Sequence, residues 1–273
     1  IQGSAIFINL NESFTFINNT IQNHDTYLNS VVTFNQNSYK SRNLTILNSN
    51  FINNKYSKTF DGSGIGFYVE DYNEKLNSNS ESYILNIIFL GCLFNGNGNE
   101  VSSGLDSAAG VFGWSRETST VSFINCHFEA NKVLSTSGQI NIQNCNSLLI
   151  DSCTIEQTVN YCFLKISPST TPSIEKVSIL ITSTTVTNTG TTDISQNDLI
   201  LVDKISTLNV ALIISDCTFI DISLDASNSI FHFNSNLNSI PFLNTKVKFN
   251  DHSKSSNVMT IRENVGSLTV AEC

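Results

Sequence analysis

The chain has 273 residues, of which 40% are hydrophobic and only 14% charged, with a formal net charge of −9 and just 3 prolines. Alanine is scarce while Asn, Ser, Thr, Ile, Val and Phe abound, which excludes a helical fold and points to an ordered all-β one. Arginine is confined to Arg42, Arg116 and Arg262, and no basic stretch is interleaved with aromatics, so nucleic acid is excluded as a partner.

No run of about 18 apolar residues occurs that would span a bilayer. Ile1 is followed directly by strand-like sequence, without a charged-then-apolar leader. We therefore expect no transmembrane segment and no export signal within the chain. It starts without Met and stops on Cys273 inside a recurring motif, which reads as an internal segment of a longer secreted protein, with residues 1–273 forming a single domain.

From the N-terminus onward, two half-motifs alternate with a period of about 30 residues. One opens with small residues and continues with alternating apolar ones: Gly3–Ile8, Gly62–Val69, Ala108–Phe112 and Ser137–Ile142, with weaker copies at Tyr161–Ile166, Asn197–Val202, Ser227–Phe233 and Asn257–Ile261. The other is an apolar strand, a small polar bend, then Cys, Asn or Ser before another apolar residue. It recurs at Leu44–Phe51, Asn86–Phe94, Val121–Phe128, Leu148–Ile155, Val177–Val186, Leu212–Phe219 and, cut short, Leu268–Cys273. Paired, the halves make roughly nine units of about three alternating segments each. A single unit cannot bury its inward face. Stacked at about 4.8 Å, the units form an all-β parallel β-helix, a β-solenoid with three strands per coil and about nine coils.

The turn between the second and third strands must be made in one or two residues and visits the left-handed region, which suits Gly and Asn. Asn18, Asn48, Gly91 and Asn125 occupy that bend. Asp151 or Ser152, and Ser215 or Asp216, hold it with one extra residue, read as a local bulge. Stacked Asn side chains at the bend are expected to hydrogen-bond along the axis. Insertions in a solenoid carry variable contacts, and the longest runs from Asn54 to Tyr83, with Asp71–Lys75 as a charged patch; others run from Asn95 to Ser107 and from Ser167 to Lys176.

Cys92, Cys126 and Cys153 hold one repeat position, and Cys217 and Cys273 recur in the same half-motif, so these five form an inward structural cysteine column. Free thiols and bridges between neighbours both remain open, as does an off-column pair of Cys145 and Cys162. No CxxC spacing and no pairing with His24, His127, His232 or His252 marks a metal site, and no cofactor is expected. Asn11, Asn18 and Asn43 open sequons and are candidate glycosylation sites, Asn11 and Asn43 in turns and Asn18 at a bend. The stretch Thr182–Thr192 fits O-glycosylation or a Thr-rich strand and turn. Gly62-x-Gly64-x-Gly66 lacks a following Lys and runs into a strand, so it is not a phosphate loop. Glu129 and Glu156 are expected to stack on the outside as a cation-binding pair or as solvated turn residues. No nucleophile accompanies the histidines, and no enzyme activity is expected.

Phe51–Asn54, Phe94–Asn97 and Phe128–Asn131 read Phe-x-x-Asn, and a degenerate Gly-Gly-Ala-Ile precedes the first strands. The three-strand coil resembles the right-handed parallel β-helix of the pectate-lyase type. Alternation of the two tetrapeptides resembles the passenger repeats of chlamydial polymorphic outer-membrane proteins and repeats in secreted protist proteins, best over residues 1–155. The Asn, Ile and Lys bias is similar to AT-rich protist coding. This resemblance implies right-handed winding and an extracellular or cell-surface protein that is structural or adhesive. Lyases of the fold carry clustered Asp for calcium and an Arg base, and its hydrolases Asn-Thr-Asp, Asp-Asp, Gly-His-Gly and Arg-Ile-Lys; none of these is present. The expected function is an extracellular segment whose open ends stack on adjoining coils or on another copy, building a fibre or stalk, with glycans or a cell surface as further partners. The alternative is a cell-surface adhesin, or a carbohydrate-binding or carbohydrate-active β-helix, acting through the turn at 55–82.

Overall fold

A computed structural model of the chain describes residues 6–10, 12–26, 31–36, 42–56, 67–70, 85–99, 112–115, 119–131, 139–143, 146–157, 162–167, 176–188, 198–202, 209–222, 224, 228–234, 237–249, 257–262 and 266–273. The tripeptide Asn11-Glu12-Ser13 therefore has its asparagine outside the described residues, where Cys145 and most of the three long turns also lie.

Short strands of alternating apolar residues recur along the chain and pair only with their counterparts in the preceding and following repeats. The first sheet joins Ile6–Leu10, Val32–Gln36, Phe67–Glu70, Phe112–Ser115, Ile140–Gln143, Leu164–Ser167, Ile200–Val202, Ser229–Phe233 and Asn257–Ile261. The second joins Phe14–Ile17, Arg42–Leu47, Leu85–Leu90, Ser119–Ile124, Ser147–Asp151, Lys176–Thr182, Asn209–Ser215, Leu237–Leu243 and Leu268–Ala271. The third joins Thr20–Gln22, Asn50–Ile52, Leu93–Asn95, His127–Glu129, Thr154–Gln157, Thr185–Asn188, Thr218–Ile222 and Lys246–Phe249. A small fourth sheet holds Asp25–Thr26, Lys55–Tyr56 and Gly98–Asn99. The pairing is parallel throughout, so the chain is an all-β parallel β-solenoid with three strands per coil.

Alternation along each strand decides which side chains enter the core. In the second sheet, Phe89, Phe123, Ile150, Ile181 and Ile214 form one buried column. In the third, Ile21, Phe51, Phe94, Phe128, Ile155, Val186 and Phe219 form another. Like stacks on like: Phe51 and Phe94 lie 5.2 Å apart at 13°, Phe94 and Phe128 4.8 Å at 12°, and Phe89 and Phe123 4.8 Å at 7°. The two phenylalanine columns then meet edge to face, as at Phe123 and Phe128, 5.6 Å apart at 65°. That is the preferred geometry for unlike ring faces, and each fully buried ring contributes about 2–3 kcal/mol.

The bend between the second and third sheets is made by one left-handed residue and one that follows it. Asn18, Asn48, Gly91 and Asn125 have φ of 54°, 47°, 64° and 51°. Ser152 and Asp216 hold the same place at 54° and 55°, and the strands before them pair without interruption, Ile124 opposite Asp151 and Thr182 opposite Ser215. The expected bulge at these two bends is therefore corrected: no residue is inserted there. The register shifts instead between Val210 and Ala211 and between Phe219 and Ile222. Backbone pairing continues through the corner, as when Asn48 N–H donates to Leu90 O, Gly91 N–H to Ile124 O and Asn125 N–H to Asp151 O. A turn with its donors so paired leaves nothing unsatisfied beneath it.

Candidate functional site

Immediately after each bend stands a residue that points inward and donates a hydrogen bond to the carbonyl two residues before it. Ser49 Oγ reaches Leu47 O at 2.8 Å, Thr184 Oγ1 reaches Thr182 O at 2.8 Å and Thr245 Oγ1 reaches Leu243 O at 2.8 Å. Cys92, Cys126, Cys153, Cys217 and Cys273 occupy the same place and make the same bond, to Leu90, Ile124, Asp151, Ser215 and Ala271. Each also reaches a carbonyl of the preceding coil, for example Cys126 to Phe89 O at 3.5 Å. Thr184 and Thr245 interrupt the column, so only Cys92, Cys126 and Cys153 adjoin one another.

These thiols are free; Cys92, Cys126, Cys153, Cys162 and Cys217 are buried and Cys273 is exposed. Hydrogen bonding between neighbouring thiols splits their acidities. Cys92 is raised by its bond with Cys126 and by burial, Cys126 is pushed up to about 12 by its bond with Cys153, and Cys153 is lowered by its bond with Cys126. Cys217 is raised by burial, and burial pushes Cys162, outside the column, up to about 12. A thiol held protonated at neutral pH is a poor nucleophile and a poor metal ligand.

The amide ladder expected at the first bend stands instead one corner later, after the third sheet, where a second left-handed residue (Asn23, Asn53, Gly96 or Ala130) precedes His24, Asn54, Asn97 and Asn131. Asn54, Asn97 and Asn131 are buried. Asn97 Oδ1 accepts from Asn54 N–H at 3.1 Å and from Asn54 Nδ2 at 3.0 Å, while Asn97 Nδ2 donates to Phe51 O at 2.7 Å and Asn131 Oδ1 at 3.1 Å. Asn131 Nδ2 repeats the pattern on Phe94 O at 2.8 Å. This explains Phe-x-x-Asn in physical terms: a core ring, an outward residue, a left-handed residue and a buried amide that satisfies the preceding coil's backbone. The bends at Asn18, Asn48 and Asn125 carry exposed side chains.

Glu129 and Glu156 are paired in register on the outer face of the third sheet, with the ring of His127 between them at 4.0 and 3.7 Å. Asn95 Nδ2 donates to Glu129 Oε2 at 2.9 Å. The three ionisable side chains are roughly two-fifths exposed, which makes this a solvated surface network of small energetic weight. A second pair had no signal in the sequence, since its members lie 34 residues apart. His232 Nδ1 meets Asp198 Oδ2 at 2.5 Å, and the other oxygen of Asp198 accepts from Ser229 N–H at 2.7 Å. Asp198 thereby fixes the ring and its tautomer. No group of three or more His, Cys, Asp or Glu side chains suited to a metal occurs among the described residues.

Of the sequons, Asn18 is exposed at its bend. Asn43 lies in the strand Arg42–Leu47, which corrects its expected place in a turn; it is exposed on the outer face, where its Oδ1 accepts from Asn86 Nδ2 at 2.9 Å.

At the C-terminal end of the stack, Leu268 and Val270 continue the columns of Ile240 and Phe242 but are 49% and 59% exposed, against 0% and 4%. Family models, curated proteins and solved structures provide no match to the chain. Among the described residues no helix is long and apolar enough to cross a membrane.

Proposed function

We propose that the chain is an extracellular structural segment that stacks end to end, on adjoining coils or on a second copy, into a fibre or stalk. One observation carries the reading: Leu268 and Val270 continue the buried columns of Ile240 and Phe242 yet are 49% and 59% exposed, aliphatic side chains that a further coil or a second copy would cover. A heterologous contact of one end on the other does not close and therefore grows along the axis. The extracellular setting is supported by the exposed sequon asparagine Asn18 at its bend and by the resemblance to bacterial passenger repeats, which also supports right-handed winding and an adhesive or mechanical role.

Electron microscopy of concentrated protein tests it. Filaments one or two solenoids wide are expected, and Val270→Asp, which places a charge on the exposed end of the column that runs through Phe242, is expected to abolish them. Uniform short particles at all concentrations, or filaments indifferent to Val270→Asp, would overturn the reading.

A further inference from the structure

The outer faces of the solenoid differ in chemistry. The third sheet presents His127, Glu129, Glu156, Lys246 and Lys248, an ordinary charged surface. The second sheet does not. Ile88, Ser122, Leu149, Leu180 and Ile213 follow one another in register along its outer face, beside a parallel column containing Leu90 and Ile124. Leu90 is 36% and Ile213 38% exposed, while the inward neighbours Phe89 and Ile214 are fully buried. Among the described outward side chains of this sheet only Asp151 is charged, and it sits at the edge beside the bend.

The sequence carries the same signal. Ile87-Ile88-Phe89-Leu90, Leu148-Leu149-Ile150, Ile179-Leu180-Ile181 and Leu212-Ile213-Ile214 are continuous apolar runs that recur in four strands of this sheet. Strands of a parallel sheet read this way when both faces are covered.

We infer that this face is the site of a lateral dimer, its occupant a second copy of the same chain packed sheet against sheet. The whole outer face is large enough: nine strands at about 4.8 Å, each about five residues wide at about 3.3 Å, give about 700 Å² per copy, close to the ~800 Å² per partner of a standard interface, with the aliphatic column crossing its five middle strands. Charge points the same way. With 23 acidic against 14 basic residues, two copies repel through most of their surfaces, and a face almost free of charge lets them approach. A second copy also supplies the same length and pleat, so the outward aliphatic columns interdigitate about 10 Å apart as in a sandwich.

Sedimentation of the intact chain tests this. A species of twice the 30.0 kDa chain mass is expected, and Leu180→Lys with Ile213→Lys is expected to return it to a single chain with an unchanged far-ultraviolet spectrum. Thr187→Lys, on the outer face of the third sheet, should leave the dimer intact. If the lysine pair does not fold, Leu180→Thr with Ile213→Thr keeps strand propensity and should weaken the dimer about tenfold or more. A wild-type chain that stays monomeric, a dimer that survives both pairs of substitutions, or a monomer that instead binds neutral phospholipid vesicles through this face would overturn the inference. Val270→Asp separates this contact from axial stacking: it should remove filaments and leave the lateral dimer.

Discussion

A bend that turns within two residues places its first residue at positive φ, and the side chains found there are those for which that conformation is least costly. Gly91 is informative because a Cβ built on it would lie 2.5 Å from Asn48 Oδ1 of the preceding coil, the mobile end of a polar side chain. Gly91→Asn is expected to be nearly neutral, since Asn48 and Asn125 already stack above and below in the same conformation. Gly91→Val should cost about 2 kcal/mol or more, because a β-branched side chain in the left-handed region clashes with its own backbone. Urea midpoints of the two variants check the difference. Cys162 provides a test by pH. Its ordinary value is 9.0 and burial lifts it to about 12, so the folded chain keeps a proton that the unfolded chain has lost. The stabilisation is complete below about pH 9 and disappears as pH climbs toward about 12, with a slope of about 1.4 kcal/mol per pH unit. Between pH 8 and pH 10, Cys162→Ser should lose about 1 kcal/mol less stability than the wild type.

At the scale of the element, each corner is an arrangement of hydrogen bonds across three coils. Asn97 alone joins Phe51, Asn54 and Asn131. Asn97→Leu keeps much of the volume but strips partners from the Asn54 N–H and the Phe51 carbonyl, and should cost about 3 kcal/mol in chemical denaturation. The column after the first bend behaves differently, because thiol and hydroxyl make the same bond there: Ser49, Thr184 and Thr245 stand where cysteines stand in other coils. The Phe-x-x-Asn tetrapeptides were visible in the sequence, yet the ladder was expected at the wrong corner. An Asn in the left-handed region and an Asn buried behind it are adjacent in Asn53-Asn54, and composition does not tell which side chain turns inward.

In the whole molecule, contacts are confined to neighbouring coils, so stability is a sum of local interfaces. Damage should therefore stay local. In Asn97→Leu, hydrogen exchange should accelerate in the strands between Asn50 and Glu129, while Asn209–Ser215 and Leu237–Leu243 retain wild-type protection. A uniform loss of protection would show that the solenoid unfolds as one cooperative unit. Assembly belongs to the same scale, with the end face and the second sheet's outer face acting along perpendicular directions.

Repetition made the architecture readable from the residues themselves. Apolar alternation set three strands per coil, the recurring Asn or Gly located the left-handed bend, and cysteine spacing placed Cys92, Cys126 and Cys153 in one column, because period-two patterning and backbone sterics are local properties. What joins one coil to the next is set by the tertiary structure. Asn54 and Asn97 are 43 residues apart and Asn97 and Asn131 are 34 apart, so turns of unequal length hide the pairing from any fixed period. The Asp198 and His232 contact, the Asn43 and Asn86 bond on the outer face, and the aliphatic columns of the second sheet arise in the same way. A side chain's neighbour along the axis is fixed by strand register, which only the stacked coils determine.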